Sequence, residues 1–228
     1  PPETLPGAYG EETGCETLTL ELCDASNNVS LFLIYTVYDE TDVITRRAVI
    51  ENRNEHPLVL RRIMSMNLDL HNRGDSLITL DGGWIQEAHR HDRVLQYGAY
   101  TCGCATGASG SRNNPGFLIA ERHASESFGN VYGFNLIYSG NHQTLAELSP
   151  NDLLRVQAGI HPRGFEWTLA GGERFETPEA VMTFSDGGYN GVSAHFHDFV
   201  NHHIVRGDWK GRERPVLTNN WEACFFQF

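Results

Sequence analysis

Residues 17–23 alternate strictly, with Leu18, Leu20 and Leu22 on one side and Thr19 and Glu21 on the other. Successive side chains of an extended chain point to opposite faces, so this stretch predicts a half-buried strand with its leucines inward. Asn27-Asn28 makes a turn. Residues 31–38 then run apolar with β-branched and aromatic members, as a strand covered on both faces would. Asp39–Asp42 is the next turn and leads to a strand over 43–51; His56-Pro57 breaks the chain before another over 58–70. Residues 77–80 run into Gly82-Gly83 and Trp84, and 94–102 return from them. From Cys102 to Pro115 the chain is rich in Gly, Ser and Asn, the composition of a surface loop. Short strand patterns resume over 117–120, 131–138, 145–148, 153–159, 165–169 and 180–184. Roughly a dozen strands without helical periodicity exceed an immunoglobulin-sized sandwich and predict an all-β fold, a large antiparallel two-sheet sandwich.

The period changes after Asp186. Phe196, Phe199, Val200, His203 and Ile204 form the stripe of one amphipathic helix, with Ser193 as its N-cap and Gly207 a little past its end. Pro215 then precedes a last strand, 216–219, running into Trp221. The Gly82-Gly83 pair predicts a sharp turn at positive φ, where glycine carries no steric cost. A tryptophan at such a tip either plugs a neighbouring element or is offered to a partner. Its flat apolar face and single N–H suit a sugar ring.

Composition narrows the classes. In 228 residues, 29 acidic against 17 basic side chains give a net charge of −12, with no long basic run to hold nucleic acid phosphates. No stretch approaches the roughly 20 apolar residues of a membrane span. The sequence opens on Pro1-Pro2-Glu3 without an initiator Met or a signal-peptide pattern, so the natural N-terminus is expected to lie further upstream. Five cysteines (Cys15, Cys23, Cys102, Cys104, Cys224) are an odd number with no CxxC pair, which points to free thiols in a reducing cytoplasm.

His195, His197, His202 and His203 invite a metal reading. On a helix His197 points away from His195, and the i, i+4 histidine pair with its glutamate is absent, so no metal is expected and the imidazoles read as solvent- and interface-facing. His89-Arg90-His91 reads as a polar hairpin edge. No GxSxG, Walker or GxGxxG motif is present, nothing selects a catalytic carboxylate pair, and no cofactor is expected. Taken residue by residue, the chain carries a sugar-compatible Trp84 and no complete active site.

Several strings together resemble glycoside hydrolase family 36, the α-galactosidases: Asp42-Val43-Ile44-Thr45-Arg46, Gly82-Gly83-Trp84 with Glu87, Asn114-Pro115, Gly133 to Asn141, Pro178-Glu179-Ala180, Phe184-Ser185-Asp186, Arg214 to Leu217, and Asn219 to Ala223. The resemblance implies a β-supersandwich over 1–188 that lacks its opening part. A linker helix over 189–213 follows, and 214–228 begin a (β/α)₈ barrel whose later strands carry the two carboxylates of a retaining glycosidase. On that template this chain holds no catalytic residue. Trp221 matches the tryptophan lining the galactose subsite, and Trp84 the one that a subunit's sandwich inserts into a neighbour's active site within a tetramer. The implied partners are an α-galactoside oligosaccharide and further copies of the chain. Departures from the family strings fall at Gly83, Ile85, Gln86 and Ala88, in Thr106–Ser111, and at Gln227, each bearing on specificity. A stand-alone carbohydrate-binding or assembly module is the alternative. An aldose-epimerase-like enzyme using His and Glu within the sandwich is a third.

Overall fold

The computed structural model describes residues 3–10, 14–73, 75–110 and 112–227. Strands come first and almost without interruption: β1 Cys15–Asp24, β2 Val29–Tyr38, β3 Val43–Asn52, β4 Leu58–Leu60, β5 Met64–His71, β6 Ser76–Gly83, β7 Gln86–Val94 and β8 Gly98–Cys104. They continue as β9 Asn113–Ala120, β10 Val131–Ile137, β11 His142–Leu148, β12 Leu153–Ile160, β13 Trp167–Leu169, β14 Arg174–Glu176 and β15 Glu179–Ser185. Helix α1, Gly188–Phe199, passes directly into a wider π turn over Val200–Ile204, and a short α2 covers Trp221–Cys224.

A large sheet runs in the order β1-β2-β3-β15-β10-β9-β6-β7, with β14 also on β3; a four-stranded sheet runs β5-β12-β11-β8, and β13 pairs β4. All registers are antiparallel. The two sheets close on one apolar layer, with Phe117, Phe134 and Leu136 from the large sheet against Leu148, Leu154 and Val156 from the small one. Phe117 and Phe134 stack at 4.9 Å between centroids. Arg46 crosses this layer, donating to the Ser65 carbonyl at 2.9 Å and to the Tyr35 hydroxyl at 3.0 Å.

The opposite face of the large sheet is covered by α1 through Val192, Phe196 and Phe199. Helix and sheet meet this closely because Gly133 has no side chain: a Cβ there would lie 2.5 Å from Val192 Cγ1. The helix begins at Gly188, five residues before Ser193, and no side chain caps it. Its free N–H groups are met instead by loop carbonyls: Gly188 N donates to Gly129 O, Tyr189 N to Ser125 O and Asn190 N to Glu126 O, at 2.9–3.0 Å. Such tertiary capping satisfies the helix start without a local signal.

Other sequence expectations shift. Leu18, Leu20 and Leu22 are 44–57% exposed, because β1 is the outermost strand and no small-sheet strand lies beneath it among the described residues. β2 is half-buried rather than covered on both faces. The 58–70 strand divides into β4 and β5, β7 rather than 94–102 returns from the Trp84 turn, and β14 adds a strand the pattern gave no sign of. Residues 216–219 form no strand: Val216 and Leu217 stand in solvent, and no described strand pairs with them, so their backbone has no ladder to join.

Candidate functional site

Trp84 and Ile85 are the two residues of the β6–β7 loop, closed by the Gly83–Gln86 pair. The Trp84 side chain is 88% exposed and plugs nothing in its own sandwich. Positive φ falls on Ile85 (66°) and Ala88 (52°), not on the two glycines. Gly82 serves close approach instead, since a Cβ there would overlap the Gln86 carbonyl oxygen. A β-branched residue at positive φ is strained, and the Ile85 N–H is tied to Glu87 Oε1 at 2.9 Å. Every residue of β7 is exposed, which fits the polar edge predicted around His89 and His91.

Just below the tip, β6 is anchored by a polar cluster. Asp81 Oδ1 accepts from Cys102 Sγ and from Asn113 Nδ2, each at 3.1 Å; Thr79 donates to Oδ2, and Arg93 lies 3.9 Å away. Burial alone would raise the Asp81 pKa, but the donors from Thr79, Cys102 and Asn113 and the charge of Arg93 outweigh it and hold the carboxyl below its usual range. Burial and then the Asp81 charge push the Cys102 thiol up to about 12, so it remains a protonated donor. The cluster faces a polar cavity of about 330 Å³ that Tyr100, Gln143 and His161 also line.

A depressed carboxyl contributes stability that is present above its unfolded pKa, about 3.9, and is lost as pH falls through the folded value. Asp81→Asn should therefore lower unfolding free energy at pH 7 by about 1–2 kcal/mol, with a smaller gap from wild type at an acid pH below about 3.9, where the carboxyl takes up its proton. Urea titrations at the two pH values check this; an equal gap at both would mean that the carboxylate charge is not what anchors the hairpin.

Trp221 is 42% exposed and opens α2, its backbone N–H donating to Asn219 Oδ1 at 2.9 Å. Its ring packs edge-on against Phe226 at 4.6 Å and Phe225 at 5.7 Å. Among the described residues no ring contact joins it to Trp84.

The four helix histidines divide. His197 and His202 are exposed, as expected. His195 instead shares a hydrogen bond with Thr183 Oγ1 at 2.8 Å, and its Nε2 lies 3.6 Å from Asp42. His203 Nδ1 lies 2.8 Å from the Tyr9 carbonyl, while Tyr9 N donates to His203 O at 3.0 Å. These two imidazoles fasten the helix and the residue 7–9 segment to the sheet. No described group of three His, Cys, Asp or Glu residues could hold a metal ion. No described helix is long and apolar enough to cross a membrane.

Residues 1–170 match the glycosyl hydrolase family 36 N-terminal domain, and 174–228 match melibiase. Sandwich and helix thus correspond to the N-terminal region of a glycoside hydrolase. α-Galactosidase AgaA of Geobacillus stearothermophilus is 40% identical over 98% of this chain, and α-galactosidase 1 of Pediococcus pentosaceus is 38% identical over 98%. The chain belongs to glycosyl hydrolase family 36. It spans only 31% of the length of either relative. Among solved structures, the α-galactosidase of Lactobacillus brevis aligns with a TM-score of 0.96 at 33% identity, covering all of this chain and 31% of that one. AgaA in complex with stachyose aligns with a TM-score of 0.94 at 40% identity, over 98% of this chain and 31% of that one.

Proposed function

We propose that this chain is the sandwich portion of a retaining α-galactosidase acting on terminal α-galactosides of the raffinose and melibiose type in the cytoplasm. The sandwich occupies 1–188, the linker helix 189–213, and 214–228 open the barrel. The bond-breaking carboxylates belong to barrel strands outside this sequence, so the chain alone is inactive. Its contribution is to build a homotetramer and to deliver Trp84 into a neighbouring subunit's active site, while Trp221 lines the galactose subsite of its own barrel. Neither role calls for a cofactor.

The observation that carries this reading is the Trp84 indole, held 88% exposed at the tip of a hairpin that Asp81 pins just below the turn. A large apolar ring kept in water on a fixed mount suits a partner's pocket. The free thiols of Cys23, Cys102, Cys104 and Cys224 agree with a reducing compartment. AgaA has been solved with raffinose and with stachyose bound, which supports the substrate class. The test is galactose release from raffinose and melibiose by the longer polypeptide that carries this sequence, with the 228-residue chain as its inactive counterpart. A longer wild-type protein that leaves both sugars intact would defeat the assignment.

A further inference from the structure

A cleft of about 400 Å³ lies on the helix-covered face of the large sheet, between α1 and the strands β6, β7, β9 and β10. Val192 and Phe196 of the helix give it an apolar wall, and Arg90, Asn114, Asn135 and Ser193 give it polar groups. The two asparagines are fixed in orientation. Asn114 Oδ1 accepts from Gly116 N at 2.8 Å, and Asn135 Oδ1 accepts from Leu136 N at 2.8 Å. Each carbonyl oxygen is therefore engaged, and each Nδ2 is left as a donor with no acceptor among the described residues. Both amides crowd Gly116, where a Cβ would sit 3.1 Å from Asn114 Oδ1 and 3.4 Å from Asn135 Nδ2. Arg90 is fixed as well, bidentate to Asp92 at 2.7 Å and lying 4.3 Å over the Tyr189 ring.

Two preset amide donors select oxygen acceptors. The ion pair with Asp92 already neutralises Arg90, so the cleft has little reason to prefer an anion. An apolar wall facing fixed donors suits a neutral ring with one C–H face and several hydroxyls, and the volume lies toward the small end of ligand pockets, roughly 300–1,000 Å³. We propose that this cleft is a second sugar-binding site, taking one neutral pyranose unit through Asn114 and Asn135. It requires neither Trp84 nor Trp221, and so stands or falls apart from the delivery of Trp84 to a neighbour.

Nitrogen-edited NMR of the isotope-labelled chain, titrated with raffinose, reads the site directly. The side-chain NH₂ signals of Asn114 and Asn135 should shift in a saturable way while the Trp84 indole N–H signal stays in place. Ser193→Trp, at an exposed helix position on the cleft, should weaken binding at least tenfold. Asn135→Asp, which keeps the shape and removes the donor, should do the same. Ser193→Trp decides the matter should the aspartate variant fail to fold. No saturable shift in wild type, unaltered binding in Ser193→Trp, or shifts confined to the Trp84 indole would each overturn the proposal. So would concentration-dependent shifts of the asparagine signals without sugar, which would give the cleft to a second copy of the chain.

Discussion

Trp84→Ala in the longer enzyme should lower kcat/KM for raffinose by about 10- to 100-fold, the loss of roughly 1.4–2.8 kcal/mol of transition-state binding expected for an aromatic anchor at a subunit contact. The same substitution should leave the unfolding free energy within about 0.5 kcal/mol of wild type, because the ring makes almost no intramolecular contact to lose. This separation of activity from stability distinguishes a presented indole from a corner plug, whose removal would also leave a cavity. Trp84→Phe, which keeps a flat ring, should recover part of the activity. Steady-state kinetics and thermal melts on the same preparations check both arms, and sedimentation confirms the assembly compared. Unchanged kinetics would mean that the hairpin tip does not reach a neighbour's substrate.

Phe134→Ala should have the opposite signature, a large loss of stability spread over the whole sandwich. Phe134 is 1% exposed, stacks on Phe117 and lies in the layer that both sheets share. Truncating a buried phenylalanine costs roughly 3–5 kcal/mol, because the lost transfer energy adds to that of the cavity left behind. For a chain of this length, that corresponds to a fall in Tm of roughly 6–20 °C. Calorimetry or circular dichroism reads the shift. A change of only a degree or two would mean that the two sheets do not share one cooperative layer.

Much of this architecture was legible along the chain, because strand alternation and turn residues are local signals. The Trp84 tip stood out because a tryptophan follows two glycines and precedes a charged run. Alternation, however, reports which side chains share a face, not whether anything lies beneath them. Leu18, Leu20 and Leu22 share a face as predicted, yet they lie beyond the reach of the small sheet. The helix start was displaced because its cap consists of carbonyls about sixty residues upstream, which no spacing rule sees. The anchor at Asp81 escaped notice for a related reason: its partners Cys102 and Asn113 are 21 and 32 residues away, Asn113 brought to the carboxylate by register with β9 and Cys102 by the facing small sheet. The sequence reads His195 and His203 only as solvent- and interface-facing, because their partners, Thr183 and Tyr9, come from other elements.

The three leucines of β1 have a practical consequence. Among the described residues β1 is the outermost strand of the large sheet, and its three leucines form an oily row in solvent. The strand itself, Cys-Glu-Thr-Leu-Thr-Leu-Glu-Leu-Cys-Asp, carries neither lysine nor proline to discourage a stranger from zipping on. Anyone grafting this sandwich onto another scaffold, or trimming an enzyme down to it, inherits a border that recruits further strands and seeds precipitation. Blunting it with a lysine at Leu20 is the first repair to make.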